Sequence, residues 1–179
     1  RDAYVGTTFA EKAVEWITTH RKNAREQPFF MYLATTNIHH PFTPHPRFKG
    51  TSQCGLYGDF IHELDWIVGE VLKTLDELKI ASETLVVFTS DNGGYARATD
   101  NSPLRANKGS NYEGGIRVPL LLKWPGKTNP GSVSNEPVIS TDFYPTILDA
   151  AGLPPRPHQH VDGLALSPAL DGGTLNRDA

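Results

Sequence analysis

Residues 84–94 read Thr-Leu-Val-Val-Phe-Thr-Ser-Asp-Asn-Gly-Gly. Six residues that are apolar or β-favouring stop abruptly at a polar turn. A short unbroken run of this kind predicts a strand buried on both faces, as in a sheet covered by helices. Upstream, Phe29-Phe30-Met31-Tyr32-Leu33-Ala34 is a second such run, and Val118–Trp124 is a third, ending at Pro125-Gly126. Val138-Ile139 is a candidate short fourth strand.

Helical periodicity fills the gaps between these runs. Thr8 and Glu11 have capping-box spacing, and Phe9, Ala13, Trp16 and Ile17 recur at helical intervals until Pro28. A second helix is predicted from about Asp59 to Lys79, with Ile61, Leu64, Val68, Val71, Leu72, Leu75 and Leu78 as its apolar stripe. A third runs from Ser140 or Thr141 to about Ala151, before Gly152 and Pro154. The Pro- and Gly-rich tail from 153 wraps a surface. Helices alternating with buried strands predict an α/β fold with a mostly parallel or mixed sheet. In such sheets ligands bind beyond the carboxyl ends of the strands. The loops 35–50 and 90–117 follow strand ends and carry the unusual residues.

Composition narrows the function. The 179 residues are 38% hydrophobic, with 17 basic and 20 acidic side chains and a net charge of −3. So even a balance gives no support to a nucleic-acid or polybasic membrane partner. Sixteen Gly and fourteen Pro predict many turns and long ordered loops. A single Cys, Cys54, excludes an internal disulfide and a Cys-x-x-Cys motif. Its neighbours supply no cation or base to activate it, so it is read as inert. No apolar run approaches the roughly 20 residues of a membrane-spanning helix.

Asp91-Asn92-Gly93-Gly94 reads most simply as a turn. Its sharper reading is part of a metal site, since a carboxylate and an amide carbonyl are hard oxygen donors suited to Ca²⁺ or Mg²⁺. Two ligands leave the shell incomplete. His39-His40-Pro41 follows the first strand. A His there can donate to an anionic oxygen or protonate a leaving group, and Pro41 biases His40 to an extended backbone. Lys108 lies in the second loop with Gly109, Gly114 and Gly115 close by. Three Gly in seven residues predict a backbone held in special conformations, and a Lys placed by it can neutralise an oxyanion. Tyr95, Arg97 and Arg105 sit in the same loop and are candidates for meeting an anionic sugar; solvated cations are the plainer reading.

These segments, in this order, resemble the sulfatase family of the arylsulfatase and N-acetylgalactosamine-6-sulfatase type, within the alkaline-phosphatase-like superfamily. The match rests on Pro28-Phe29-Phe30 with His39-His40-Pro41, and on Gly55-Leu56-Tyr57-Gly58-Asp59 with Glu63-Leu64-Asp65. It continues through Thr89-Ser90-Asp91-Asn92-Gly93 and the specific segment Lys108–Pro119. Thr141–Thr146 and Asp162-Gly163 match later landmarks. The resemblance implies hydrolysis of a sulfate ester on a sulfated small molecule or carbohydrate. It implies Asp91 and Asn92 as ligands of a divalent metal, Ca²⁺ or Mg²⁺, and Lys108 and His39 as sulfate contacts, with His39 or Lys108 assisting the leaving alcohol. His39, two residues before the Pro, is preferred to His40, which becomes a neighbour near the substrate. The family's nucleophile is a formylglycine made from a C/S-x-P-x-R motif, which these residues lack. The resemblance therefore predicts the C-terminal part of a catalytic domain, with the nucleophile and a small C-terminal domain outside it. It further predicts inactivity of the chain alone, apolar faces left exposed on its strands, and an exported enzyme. Two alternatives are a phosphatase or phosphonate monoester hydrolase of the same superfamily, and a non-catalytic protein that keeps the fold. Those phosphatases commonly carry Asp-His where Asp91-Asn92 stands.

Overall fold

A computed structural model describes residues 2–159, 162–170 and 172–177. The chain divides into two compact units, Arg1–Ser82 and Glu83–Ala179.

The first unit is a helix pair with a long connection. Helix α1 spans Val5–Asn23 and α2 spans Gly55–Glu77. α1 begins before the predicted Thr8 cap, with the Thr7 hydroxyl donating to Tyr4 O at 3.0 Å. It buries Gly6, Thr7, Ala10, Ala13 and Ile17, a row of mostly small residues that lets α2 approach closely. Phe9 and Trp16, predicted for the same face, stay 36% and 45% exposed. Trp16 instead stacks on His20 and meets the edge of Phe29.

α2 starts four residues earlier than predicted and buries a different row. The fully packed residues include Phe60, Glu63, Ile67, Thr74 and Leu75. From the predicted stripe only Leu75 is buried, and Ile61 is 38% exposed. The hydropathy pattern selected the neighbouring row because Glu63 and Thr74 interrupt the one that packs.

The run 29–34 is not a paired strand. Phe29, Met31 and Leu33 are half-buried, while Phe30 and Tyr32 are 68% and 83% exposed. The alternation is that of an extended segment, but no described residue pairs with it.

The second unit holds the sheet among the described residues, an antiparallel pair. β1 is Val86–Thr89 and β2 is Leu120–Lys123, with Val87 opposite Leu122 and Thr89 opposite Leu120. The parallel pairing suggested by the alternation is absent here, and an antiparallel pair fits the mixed form of the sheet. On β2, Leu121 is 60% exposed. The short helix α3, Glu113–Ile116, lies between the strands in sequence. Helix α4, Phe143–Ala150, follows a turn at Ser140–Asp142, and α5 is Ser167–Leu170. Val138 forms no strand; it packs with Leu122 and Leu164 on the buried cluster Leu166, Ala169 and Leu175.

The tail is anchored by one buried carboxylate. Asp142 is fully buried and accepts from the backbone N–H groups of Ile139 and Leu164, both at 2.9 Å. The Arg177 guanidinium donates to it as well. Thr146 Oγ1 accepts from Leu166 N at 3.0 Å. The landmarks Thr141–Thr146 are therefore structural: they hold the stretch 164–177 in place. Of the tail, residues 160, 161, 171, 178 and 179 lie outside the described residues.

Candidate active site

The loop predicted to carry the metal pair and the lysine is built from backbone hydrogen bonds. β1 delivers the chain to Ser90 and Asp91. Gly93 N then donates to Gly115 O at 2.8 Å, fastening the strand end to α3. Lys108 N donates to Gly94 O at 3.0 Å. Residues 95–107 are thus an excursion whose two ends close on each other, and Lys108 returns beside the turn that bears Asp91 and Asn92. Gly114 N donates to Arg105 O at 2.8 Å, which ties the far side of the excursion to α3.

The glycines are required by this closure. A Cβ on Gly93 would press into the Gly114 carbonyl oxygen and lie 3.0 Å from Gly115 Cα. One on Gly114 would meet the carbonyls of Ala106 and Arg105, and one on Gly115 those of Ser110 and Asn107. Gly109 has φ +90°, open to glycine but strained for other residues. The three-glycine signal next to Lys108 is explained by one positive φ and two close backbone approaches.

Asn101 pins the excursion from inside. Its Nδ2 donates to Asn107 Oδ1 at 2.7 Å and to Gly94 O at 3.2 Å. Asp100 accepts from the Ser102 backbone N–H and hydroxyl, which holds its carboxyl below the usual range. Arg105 lays its guanidinium 3.7 Å over the Tyr112 ring, so this cation is already engaged. Arg97 is exposed on the turn Tyr95–Thr99.

Asp91 and Lys108 are exposed, and Asn92 is half-buried. The Asp91 carboxylate has a long 3.5 Å contact from Ser90 Oγ, which leaves it open to a stronger partner. The donor chemistry of Asp91 and Asn92 suits a hard divalent cation, as two members of a larger shell. No group of three or more His, Cys, Asp or Glu side chains suited to a metal occurs among the described residues. Lys108 enters no ion pair among the described residues.

His39 and His40 lie in the first unit. Both are exposed, and their rings stack at 4.6 Å. His39 Nδ1 lies 2.7 Å from His40 O. A carbonyl can only accept, so Nδ1 carries the hydrogen and the chemistry falls to Nε2.

The loop behind these histidines is held by two carboxylates one turn apart on α2. Asp59 accepts from Gly50 N at 2.8 Å and Ser52 N at 2.9 Å, which holds its carboxyl below the ordinary range. Glu63 accepts from His45 N at 3.1 Å, while burial raises its carboxyl above the ordinary range. Neither role is visible in the sequence except as charges on a face that also carries Phe60 and Ile67. Cys54 immediately precedes α2 and is exposed.

Comparison with known proteins places the chain. The Sulfatase family model matches residues 3–153. The chain belongs to the sulfatase family. It is 41% identical over 161 residues to the steryl-sulfatase of Mus musculus, covering 85% of this chain and 26% of that protein. It is 37% identical over 179 residues to the N-acetylgalactosamine-6-sulfatase of Canis lupus familiaris, covering 97% of this chain and 34% of that one. The chain thus spans about a third or less of these curated relatives. Among solved structures, Ps i-CgsB in complex with k-i-k-neocarrahexaose is similar with a TM-score of 0.87 and 32% identity, over 94% of this chain and 39% of that one. The PsFucS1 sulfatase from Pseudoalteromonas sp. follows with a TM-score of 0.82 and 30% identity, over 90% and 33% respectively. The fold is that of these sulfatases, of the alkaline-phosphatase-like class.

Proposed function

We propose that these residues serve a sulfuric ester hydrolase, with Asp91 and Asn92 as two ligands of a Ca²⁺ (or Mg²⁺) ion and Lys108 and His39 as the sulfate-binding and proton-handling groups. The observation that carries the reading is the closure of the 95–107 excursion by Lys108 N and Gly94 O at 3.0 Å. It brings the backbone of Lys108 back to the turn that carries Asp91 and Asn92 at a strand end. Family membership and the order of motifs support the same assignment.

When bound, the metal and a formylglycine outside these residues supply charge neutralisation and the nucleophile. The residues present do the rest. Lys108 balances negative charge on the sulfuryl oxygens, an interaction that strengthens as charge builds toward the transition state. His39, with its Nδ1–H held on a carbonyl, presents Nε2, which in the doubly protonated ring carries the proton that passes to the departing alcohol oxygen and leaves the neutral imidazole behind. His40 stacks on His39 and limits its ring rotation. The rigid glycine packing around Lys108 keeps the cation placed before substrate arrives.

A sulfated carbohydrate is the substrate class we favour, since relatives act on N-acetylgalactosamine-6-sulfate by name and Ps i-CgsB was solved with a neocarrahexaose. Export from the cytoplasm is likewise inferred from the family; no helix among the described residues is long and apolar enough to cross a membrane. The phosphatase alternative is disfavoured by the amide at Asn92, which stands where those enzymes carry a His. The test is turnover by the intact enzyme that contains these residues: sulfate esters are hydrolysed well above the matched phosphate esters, and a preference for phosphate rejects the reading.

A further inference from the structure

The node where α1, α2 and the histidine loop meet contains two buried oxygen atoms that need a hydrogen. Glu63 is 0% exposed. Its Oε2 accepts from His45 N, but Oε1 has no hydrogen-bond partner. Asn37 Oδ1 is buried and also lacks one. The two oxygens border the same spot beside α1. Both border Gly6, where an added Cβ would lie 2.9 Å from Glu63 Cδ and 3.0 Å from Asn37 Oδ1.

The amide orientation is set from the other side. Asn37 Nδ2 donates to Phe60 O at 3.3 Å. Turning the amide over would press Oδ1 against that carbonyl. Asn37 therefore shows Glu63 an acceptor, and an ionised Glu63 would face it with another acceptor at a buried site. Only the acid form has a hydrogen to give.

We propose that Glu63 is a neutral carboxylic acid in the native protein, that it donates from Oε1 to Asn37 Oδ1, and that this bond makes Glu63 a positioning residue for the loop 37–45 that carries His39. The same side chain then clamps both ends of that loop, Asn37 through Oε1 and His45 N through Oε2. The protonation claim stands on geometry alone, while the link to catalysis rests on the sulfatase reading of His39. Burial favours the neutral form. It outweighs the His45 backbone N–H, the charges of His45 and Arg47, and the Asn37 amide, which act the other way; the α1 residue at the node, Gly6, brings no charge. Because the folded carboxyl titrates above its unfolded value of about 4.3, the clamp's contribution is complete below that pH and is lost as pH rises through the folded value.

Glu63→Gln tests this, since its amide can donate to Asn37 and accept from His45 N without a titration. In the wild-type-minus-E63Q infrared difference spectrum at about pH 6, above the ordinary glutamate range, we expect a carboxylic-acid carbonyl band. We also expect E63Q to gain thermal stability relative to wild type as pH rises. A carboxylate band in its place, or a stability gap that moves the opposite way, overturns the proposal. In the intact enzyme, Glu63→Ala should lower kcat by about tenfold or more with little change in KM, and E63Q should restore it. The infrared band with unchanged turnover in E63A would overturn the positioning role. An enzyme that never hydrolyses sulfate esters would overturn the functional reading while leaving the band in place.

Discussion

Gly93→Ala isolates the contact on which the proposed site depends. Gly93 does not adopt positive φ among the glycines that do, so alanine suits its backbone. Elsewhere such a change stabilises by about 0.4–1 kcal/mol, through a less flexible unfolded chain. Here the added methyl would press into Gly114 O and lie 2.8 Å from Gly114 carbon. Ordinary carbon contacts begin near 3.5 Å. The obstacle is backbone of α3, not a side chain that can turn away. The strand end and α3 must separate by about 1 Å, which breaks the Gly93 N–Gly115 O bond and leaves a donor unpaired. The expected loss is about 3 kcal/mol, from an orphaned group and local strain. At this chain length that is roughly 6–12 °C in Tm. A 1 Å displacement of the Asp91-Asn92 turn against Lys108 should also lower kcat about 100-fold in the intact enzyme. Thermal unfolding and steady-state kinetics on G93A measure both. A variant as stable and as active as wild type would refute the rigid-closure account.

Further predictions concern other parts of the chain. Asp142→Ala removes the acceptor of two backbone N–H groups and of Arg177, and should cost about 3–5 kcal/mol in urea unfolding. Asp59→Asn should be less stable than wild type at neutral pH. Because the Asp59 carboxyl is held low in the folded state, its contribution is present above the unfolded value of about 3.9 and is lost as pH falls through the folded value; the two proteins should converge in acid, and a constant gap would contradict this. Arg97→Ala in the intact enzyme should raise KM for a sulfated sugar bearing a second anionic group more than for a small aryl sulfate; equal effects reject a role in selectivity.

Much of the site is legible from sequence because its chemistry is local. The apolar run into Asp91-Asn92-Gly93-Gly94 identifies β1 and its turn without reference to any other element. Gly109, Gly114 and Gly115 announce a constrained backbone, although which is needed for φ and which for contact appears only in three dimensions. What sequence misses is non-local. Residues 29–34 have strand composition, yet pairing depends on a neighbour that no local pattern specifies. The buried row of α2 is obscured because Glu63 lies on it, and a hydropathy stripe passes over an acid. Asn101, Asp142 and Asp59 act largely through main-chain groups, and the side-chain partner of Asp142, Arg177, lies 35 residues away, beyond the reach of any local pattern.

The central claim is that Asp91, Asn92, Lys108 and His39 serve the hydrolysis of a sulfate ester. The most direct measurement is sulfate release from a sulfated saccharide by the intact enzyme, with wild type compared against Asp91→Ala and Lys108→Ala under the same calcium concentration. Wild type should release sulfate, and each variant should lose at least about 100-fold in kcat/KM, as when a group stabilising transition-state charge is removed. Undiminished release by either variant would contradict the account.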